Sequence, residues 1–263
     1  MLKESGGVRY ASSSIFPDAA AHGFLTRAGG VSLPPFDSLN FDYRGADRAA
    51  DINENVKIVS GALNVELKDL VTVNQVHGDG IFTVARRDQI REKPDADAVI
   101  TGLTEVPVGI LTADCLPVLL FDGGGGAIGA AHAGWRGTAK GIVIKTVEAM
   151  GRTYGARAKD ILCALGPYIG PCCYTIGEDA ASMFKSSFGD TKGFMERSNG
   201  GYSLDIGLLN VRQLISAGVS EGNISFNPSC TSCNNRLFFS YRKDNGRTGR
   251  QLSFIMLRAQ PKG

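Results

Sequence analysis

The stretch Gly109–Gly137, GILTADCLPVLLFDGGGGAIGAAHAGWRG, decides the fold class of this chain. It holds three short β-rich runs, 109–112, 118–121 and 127–131, which are separated by turn residues. Runs that are apolar throughout are typical of strands in sheets covered on both faces. The glycines at 123–126 predict a flexible hairpin turn, not a phosphate loop, because no helix-opening signal follows them. The stretch therefore predicts buried strands joined by tight turns.

Helical and strand patterns alternate irregularly on both sides of this stretch. Apolar residues at helical spacing predict three helices, over about 52–63, 143–150 (after Thr138 as N-cap) and 204–215 (ending at Gly218), and a weaker fourth over Glu178–Phe188. Further β-rich runs are His22–Thr26, Val71–Val73, Ile81–Val84, Ala98–Thr101, Ile161–Leu165 and Leu252–Leu257. This order predicts an α/β fold with mixed sheets, not a pure Rossmann winding. The segment GGGAIG at 124–129 has the G-x-G-x-x-G spacing, but no helix-opening signal follows it, and the P-loop pattern does not occur.

Length and charge narrow the class of protein. A chain of 263 residues fits one large α/β domain or two closely packed lobes, and we predict a single domain over 1–263. The net charge of only +2, without a block of Lys or Arg, argues against nucleic-acid and membrane-surface partners. No apolar run approaches the roughly 20 residues of a membrane span, and the N-terminus MLKESGGVRYASSS lacks the apolar core of a secretory signal. We predict a cytoplasmic protein and make no prediction of its oligomeric state.

Reactive side chains stand at probable strand ends in three places. They are His77 in NQVHG, Cys115 in TADCLPVLL and His132 in AAHAGWRG, each among small or turn residues. Because the chain has only three histidines, any imidazole chemistry must draw on His22, His77 and His132. His22 has no turn residues around it and is predicted to be structural. From the residues alone, a hydrogen-bonded structural histidine and a buried small thiol remain the ordinary alternatives.

Six sequence blocks give the chain a family resemblance. NQVHG, DADAVIT, TADCLPVLL, AAHAGWRG, LGPYIGPCCY and CTSC…FFSYRKDNGRTGR resemble, in order, the signature blocks of the YfiH family, also known as laccase-domain or polyphenol oxidase proteins. The resemblance implies a CNF/YfiH-like layered architecture of mixed sheets packed with flanking helices. It also implies that His77, Cys115 and His132 bind one zinc ion in the active site.

Two imidazoles and one thiolate suit zinc, and three protein ligands leave a fourth position open, as in catalytic sites. Zinc lowers the pKa of a bound water towards about 7. Each imidazole should donate its other N–H to a carboxylate or carbonyl, and Asp114 is the predicted partner. Copper is the less favoured alternative: three histidines exclude a multicopper laccase, but a single-copper polyphenol oxidase remains open.

The family's activity implies a purine nucleoside phosphorylase that acts on adenosine, inosine and methylthioadenosine and also deaminates adenosine. Its partners would be a small purine nucleoside and phosphate. Phosphate needs cationic donors, and the predicted substrate-binding residues are Arg136, Arg242 and Arg250, with Arg136 first because it lies four residues from a proposed ligand. For any single Arg, a surface ion pair is the ordinary alternative.

Other functions stay open at this point. A Cys–His hydrolase or amidase acting on peptidoglycan precursors would use Cys115 as nucleophile, His132 as base and His77 in support. A non-catalytic zinc-stabilised binding module is the third alternative. Cys230-x-x-Cys233 could be a redox pair or half of a second zinc site, with Cys172-Cys173 as its partner only if the fold brings the two pairs together.

Overall fold

A computed structural model describes residues 2–124 and 126–259. Its strands are β1 Leu2–Ser5, β2 Val8–Ala11, β3 Ala20–Leu25, β4 Ile81–Val84, β5 Ala98–Thr101, β6 Val108–Thr112, β7 Leu116–Asp122, β8 Ile128–Ala133, β9 Ile161–Leu165, β10 Thr175–Ile176, β11 Met195–Ser198, β12 Gly201–Leu204, β13 Ile224–Phe226 and β14 Gln251–Leu257. Its α-helices are α1 Ala49–Leu63, α2 Trp135–Ala139, α3 Ile142–Tyr154, α4 Glu178–Phe188 and α5 Ile206–Ser216.

A mixed six-stranded sheet, in the order β13-β9-β7-β8-β5-β4, lies at the centre. The antiparallel pair β7 and β8 forms its middle, while β4 and β13 run parallel to their neighbours. Alternate residues of β7 point to opposite faces: Leu116, Val118 and Leu120 join the core shared with the helices, whereas Leu119 and Phe121 join a second core. The sheet is thus covered on both faces, which explains its uninterrupted apolar runs.

The second core lies between this sheet and a five-stranded sheet in the order β1-β2-β3-β14-β6. Ile255 of β14 points into that core, and Phe254 points to the other face, where it packs in one cluster with Val59 of α1. The layers are therefore α1, the five-stranded sheet, the six-stranded sheet and the helices α2 to α5. This layered arrangement confirms the predicted mixed-sheet α/β class.

Two predicted helix starts are wrong. Thr138 does not cap the helix that follows it, because Thr138 lies inside α2 and α3 begins only at Ile142, after Gly141. Leu204 ends strand β12, and Asp205 caps α5 instead, accepting a hydrogen bond from the Leu208 N–H. Periodicity identified the apolar faces of both helices. It could not show that Thr138 belongs to the short helix α2 and Leu204 to the short strand β12.

The strand predictions differ from the structure in similar ways. Val71–Val73 is not a regular strand, since only Val71 pairs there, through an isolated bridge to Val108. The N-terminal hairpin of β1 and β2 and the three-stranded sheet β10-β12-β11 were not predicted, because their strands are short and mostly half-exposed. Gly125 of the predicted hairpin turn lies outside the described residues.

Among the described residues, no helix is both long enough and apolar enough to cross a bilayer. The prediction of a single domain over 1–263 extends to terminal residues that the structure does not describe, and it stays a prediction.

Candidate metal centre

One end of the six-stranded sheet gathers the reactive side chains. In the β7–β8 pair, Leu116 lies opposite Ala133, so the same register sets Cys115 opposite Gly134 just beyond the strands. In the β5–β8 pair, Ala98 lies opposite Ala131, and the His132 N–H donates to the backbone carbonyl of Asp97. Residues distant in sequence therefore meet because their strands start or end at one edge.

The three predicted metal ligands form one cluster. The ligand atoms of His77, Cys115 and His132 lie within 4.8 Å of one another. Cys115 Sγ is 4.0 Å from His77 Nε2, and the two imidazole rings are 4.9 Å apart between centroids at an interplanar angle of 81°. His132 is buried, Cys115 half-buried and His77 exposed, so the cluster opens to solvent on the His77 side. A set of two imidazoles and one thiol is a good donor set for a transition metal.

Asp97 orients this cluster. Its carboxylate is fully buried and accepts from His132 Nδ1 at 2.7 Å and from the backbone N–H groups of Val76, His77 and Gly78. Burial raises the pKa of the carboxyl, but His132 and these N–H donors outweigh burial and lower it. Asp97 is therefore an anion that engages Nδ1 of His132, which leaves Nε2 as the ring nitrogen available to a metal once its proton is lost. It also holds the backbone of His77.

The prediction that Asp114 orients an imidazole is wrong. Asp114 has a φ of 97°, and its carboxylate accepts from Thr231 Oγ1 at 2.6 Å, Ser240 Oγ at 2.7 Å and the Arg242 N–H at 2.7 Å. These hydrogen bonds hold Asp114, next to Cys115 in the chain, against the C-terminal loop. Asp97 is the residue that sequence reasoning missed; the available signal was its place before β5, the strand that pairs with the strand of His132.

Cys115 and His132 shift each other's pKa. Burial favours the neutral thiol, but His132 and His77 outweigh it and lower the pKa of Cys115 to about 6. Burial likewise disfavours the imidazolium, but the Cys115 thiolate and Asp97 raise the pKa of His132 to about 9. The thiolate that a metal or an electrophile requires is therefore the stable form at neutral pH.

Gly134 leaves room for the cluster. A Cβ at this position would lie 3.1 Å from His77 Cδ2 and 3.2 Å from Cys115 Sγ. Position 137 likewise has no room for a side chain, since a Cβ on Gly137 would lie 2.8 Å from the Gly78 carbonyl oxygen. The glycines of HAGWRG thus let two loops approach the same point, and the residues present fit a bound metal ion.

We expect Gly134→Ala to lower metal affinity roughly tenfold, because the added methyl displaces a thiol and an imidazole that must meet within tenths of an ångström. Titration of the purified protein with zinc and a competing chelator measures this. Gly177→Ala is the matched control: Gly177 is also a helix N-cap with extended backbone, and nothing lies within 4 Å of its added Cβ. Equal affinities of the two variants would show that Gly134 has no such role.

A cleft of about 480 Å³ opens over the cluster. Two of the predicted substrate-binding residues, Arg242 and Arg250, line it, together with Tyr174 and Tyr241. Arg44 also lines the cleft, and the sequence did not predict it. Its Nε lies 3.5 Å from the carboxylate of Asp42, which lines the cleft as well. Each guanidinium keeps donors beyond its hydrogen bonds to the protein. The cleft therefore combines a candidate metal-binding cluster with three cations.

Arg136 is not among the described residues that line the cleft. It is exposed on the first turn of α2, and its guanidinium stacks on the Trp135 ring at 4.3 Å from the centroid. Trp135 itself packs against the helical core, with Phe184 of α4 at 6.5 Å between centroids. The charge of Arg136 still reaches Tyr174 of the cleft, where burial raises the pKa of the phenol and Arg242 and Arg136 oppose that rise.

His22 has structural contacts on β3. Its Nε2 accepts from the Ser13 N–H at 3.0 Å, its Nδ1 lies 3.1 Å from the Ala20 carbonyl oxygen, and its ring packs edge-on against Phe16. Burial lowers its pKa. These contacts agree with the structural role predicted for it.

Comparison with known proteins gives consistent results. A family model described as multi-copper polyphenol oxidoreductase laccase matches residues 21–258. The purine nucleoside phosphorylase YlmD of Geobacillus stearothermophilus is 36% identical over 90% of this chain and 89% of its own. The purine nucleoside phosphorylase YfiH of Escherichia coli is 35% identical over 92% and 95%. The crystal structure of YlmD from Geobacillus stearothermophilus superposes with a TM-score of 0.90, at 34% identity over 98% of both chains.

Proposed function

The chain belongs to the multi-copper polyphenol oxidoreductase laccase family, which includes YfiH and YlmD, and on that premise we propose that it is a zinc-dependent purine nucleoside phosphorylase. Its substrates would be phosphate with adenosine, inosine or methylthioadenosine, and it would also deaminate adenosine. The observation that carries the proposal is the cleft that places His77, Cys115 and His132 beside three arginines. The relatives named above are purine nucleoside phosphorylases.

Zinc suits the cluster better than the copper of the family's description. The chain has three histidines in all, and His22 is engaged on β3, so a multicopper centre lacks ligands. With Nδ1 engaged by Asp97, His132 would bind zinc through Nε2 as a neutral imidazole, the zinc replacing the Nε2 proton. When bound, zinc would supply a Lewis acid and an activated water, the chemistry that deamination needs. A thiolate ligand stays reduced in the cytoplasm, where we place the protein.

The protein's own residues would position the substrates. Arg44, Arg242 and Arg250 can hold phosphate oxygens in the cleft through charge-assisted hydrogen bonds. The Tyr241 ring, 55% exposed, offers an aromatic face to a purine. Since phosphorolysis needs phosphate beside the ribose carbon, binding both substrates in one cleft brings the reacting atoms together.

The deciding experiment is an assay of zinc-loaded protein with inosine and with adenosine, each with and without phosphate. We expect free base and ribose 1-phosphate to form only when phosphate is present. Adenosine without phosphate should yield inosine and ammonia if the protein deaminates. Absence of base release from every nucleoside with phosphate would refute the phosphorylase proposal, and absence of ammonia would refute deamination alone.

We expect Arg250→Ala to raise the KM for phosphate roughly tenfold or more, because a charge-assisted hydrogen bond to phosphate is lost. The KM for inosine should change less. Initial rates at varied phosphate measure the effect. Arg247→Ala is the control, since Arg247 is exposed on the same loop but is not one of the described residues that line the cleft. An unchanged phosphate KM in Arg250→Ala would remove Arg250 from the binding site.

A second candidate function is a Cys–His hydrolase, and one observation favours it. Cys115, His132 and Asp97 are arranged as nucleophile, base and orienting carboxylate, with the pKa of the thiol lowered to about 6. An amide substrate of the peptidoglycan-precursor type would then be cleaved without metal. Amidase activity that survives chelation and is blocked by iodoacetamide would favour this function. Nucleoside phosphorolysis that is lost on chelation and restored only by zinc would favour the first.

A further inference from the structure

Four cysteine sulfurs meet at a second place, behind the wall of the cleft. Cys172 and Cys173 lie in the loop before β10, and Cys230 and Cys233 lie in the loop after β13. Their four sulfur atoms all lie within 4.8 Å of one another, and all four cysteines are free. The fold thus brings together the two pairs that the sequence alone left apart.

The spacing of the sulfurs fits a metal ion. Cys233 Sγ is 3.6 Å from Cys172 Sγ and 3.4 Å from Cys173 Sγ. A disulfide requires about 2.05 Å between sulfurs. Four thiolates at about 2.3 Å from a tetrahedral zinc stand about 3.8 Å from each other, which is close to the spacing here.

Charge favours a cation between these sulfurs, because a thiol loses its proton when it binds a metal and the sulfurs stand 3.4 and 3.6 Å apart. Several thiolates this close repel each other unless a cation lies between them, and a divalent ion supplies that charge.

We infer that Cys172, Cys173, Cys230 and Cys233 bind a second, structural zinc ion as a tetrathiolate site, separate from the cluster in the cleft. Four protein ligands close the coordination shell, so this ion would have no open position and no catalytic role. Its binding energy would stabilise the two loops against each other.

Those loops form part of the cleft. Tyr174 follows Cys173 directly and lines the cleft, and Arg242 donates to the carbonyl oxygens of Cys173 and Thr175. Thr231, between the two cysteines of the second loop, donates to Asp114 beside Cys115. A structural zinc at this place would therefore hold one wall of the cleft at a fixed distance from the metal cluster.

Metal analysis of protein purified without chelators tests the inference, and it does not depend on nucleoside turnover. We expect two zinc ions per wild-type chain and one in the Cys230→Ser/Cys233→Ser variant. His132→Ala should also retain one zinc, and the combination of all three substitutions none. Cys163→Ala is the matched control: Cys163 is buried in β9, outside both clusters, and its variant should keep two.

A second measurement uses only the wild-type chain, in case a variant fails to fold. Cys172 and Cys233 are exposed, yet in the zinc-loaded protein they should react with iodoacetamide only after chelation, as mapped by mass spectrometry. Rapid labelling of both in the loaded protein would overturn the inference. So would an intact mass lower by two hydrogens, which shows a disulfide, or iron in place of the second zinc.

Discussion

Cys115→Ala is expected to leave the cleft unable to retain zinc and to lower kcat/KM for phosphorolysis about a thousandfold. Two imidazoles remain, but His132 loses the thiolate that faces it, and His77 is exposed and lies 4.0 Å from the missing sulfur. A bound metal supplies several kcal/mol of transition-state stabilisation, and each 1.36 kcal/mol changes the rate tenfold. Zinc content and initial rates with inosine and phosphate measure both effects.

Cys163→Ala separates the loss of a ligand from the loss of a cysteine. Cys163 is fully buried in β9, and burial raises its pKa, so it stays a neutral thiol. Its variant should keep the zinc and the activity of the wild type. If Cys115→Ala retained full zinc and full activity, Cys115 would be neither ligand nor nucleophile, and both proposed functions would lose their centre.

Asp97→Asn is expected to weaken zinc binding in the cleft about 10- to 100-fold and to lower the free energy of unfolding by about 1–3 kcal/mol. The Asp97 carboxylate accepts from the ring of His132 on one side and from the N–H groups of Val76, His77 and Gly78. An asparagine presents two N–H donors where one of these oxygens was. If they face His132, its tautomer reverses and Nε2 carries the proton; if they face the loop, backbone donors stay unpaired.

Zinc titration against a chelator and urea unfolding of the metal-free protein measure the two effects separately. Asp122→Asn is the control, because Asp122 is equally buried, lies at the other end of β7 and accepts from the Gly124 N–H. It should leave zinc affinity unchanged. Wild-type zinc affinity in Asp97→Asn would show that the carboxylate does not orient the ligand.

Much of the central sheet could be predicted from local pattern. The runs at 118–121 and 161–165 are apolar at every position because both faces of the sheet are covered, and they are strands. The ligand set followed from the family resemblance and the scarcity of histidine. The short strands β10 to β12 could not be predicted, since half-exposed residues give no clear alternation.

The neighbours of the site could not be found by closeness in sequence. Asp114 precedes Cys115, but at a φ of 97° its side chain turns to Thr231 and Ser240. Asp97, far from His132 in sequence, is its partner through the pairing of β5 and β8. For Asp97, strand register outweighs sequence distance, because hydrogen-bonded strands fix which side chains share an edge; for Asp114, the backbone φ outweighs sequence closeness.

Local pattern predicted the class of fold, because periodicity records which face each segment must bury, and the resemblance to the YfiH family implied the three metal ligands. The packing of the layers placed Arg44, and not Arg136, among the residues that line the cleft. It also decided that the four remaining exposed or half-buried cysteines form one cluster. Such contacts join loops from different strands, and their distances depend on how the layers pack, which no local pattern encodes.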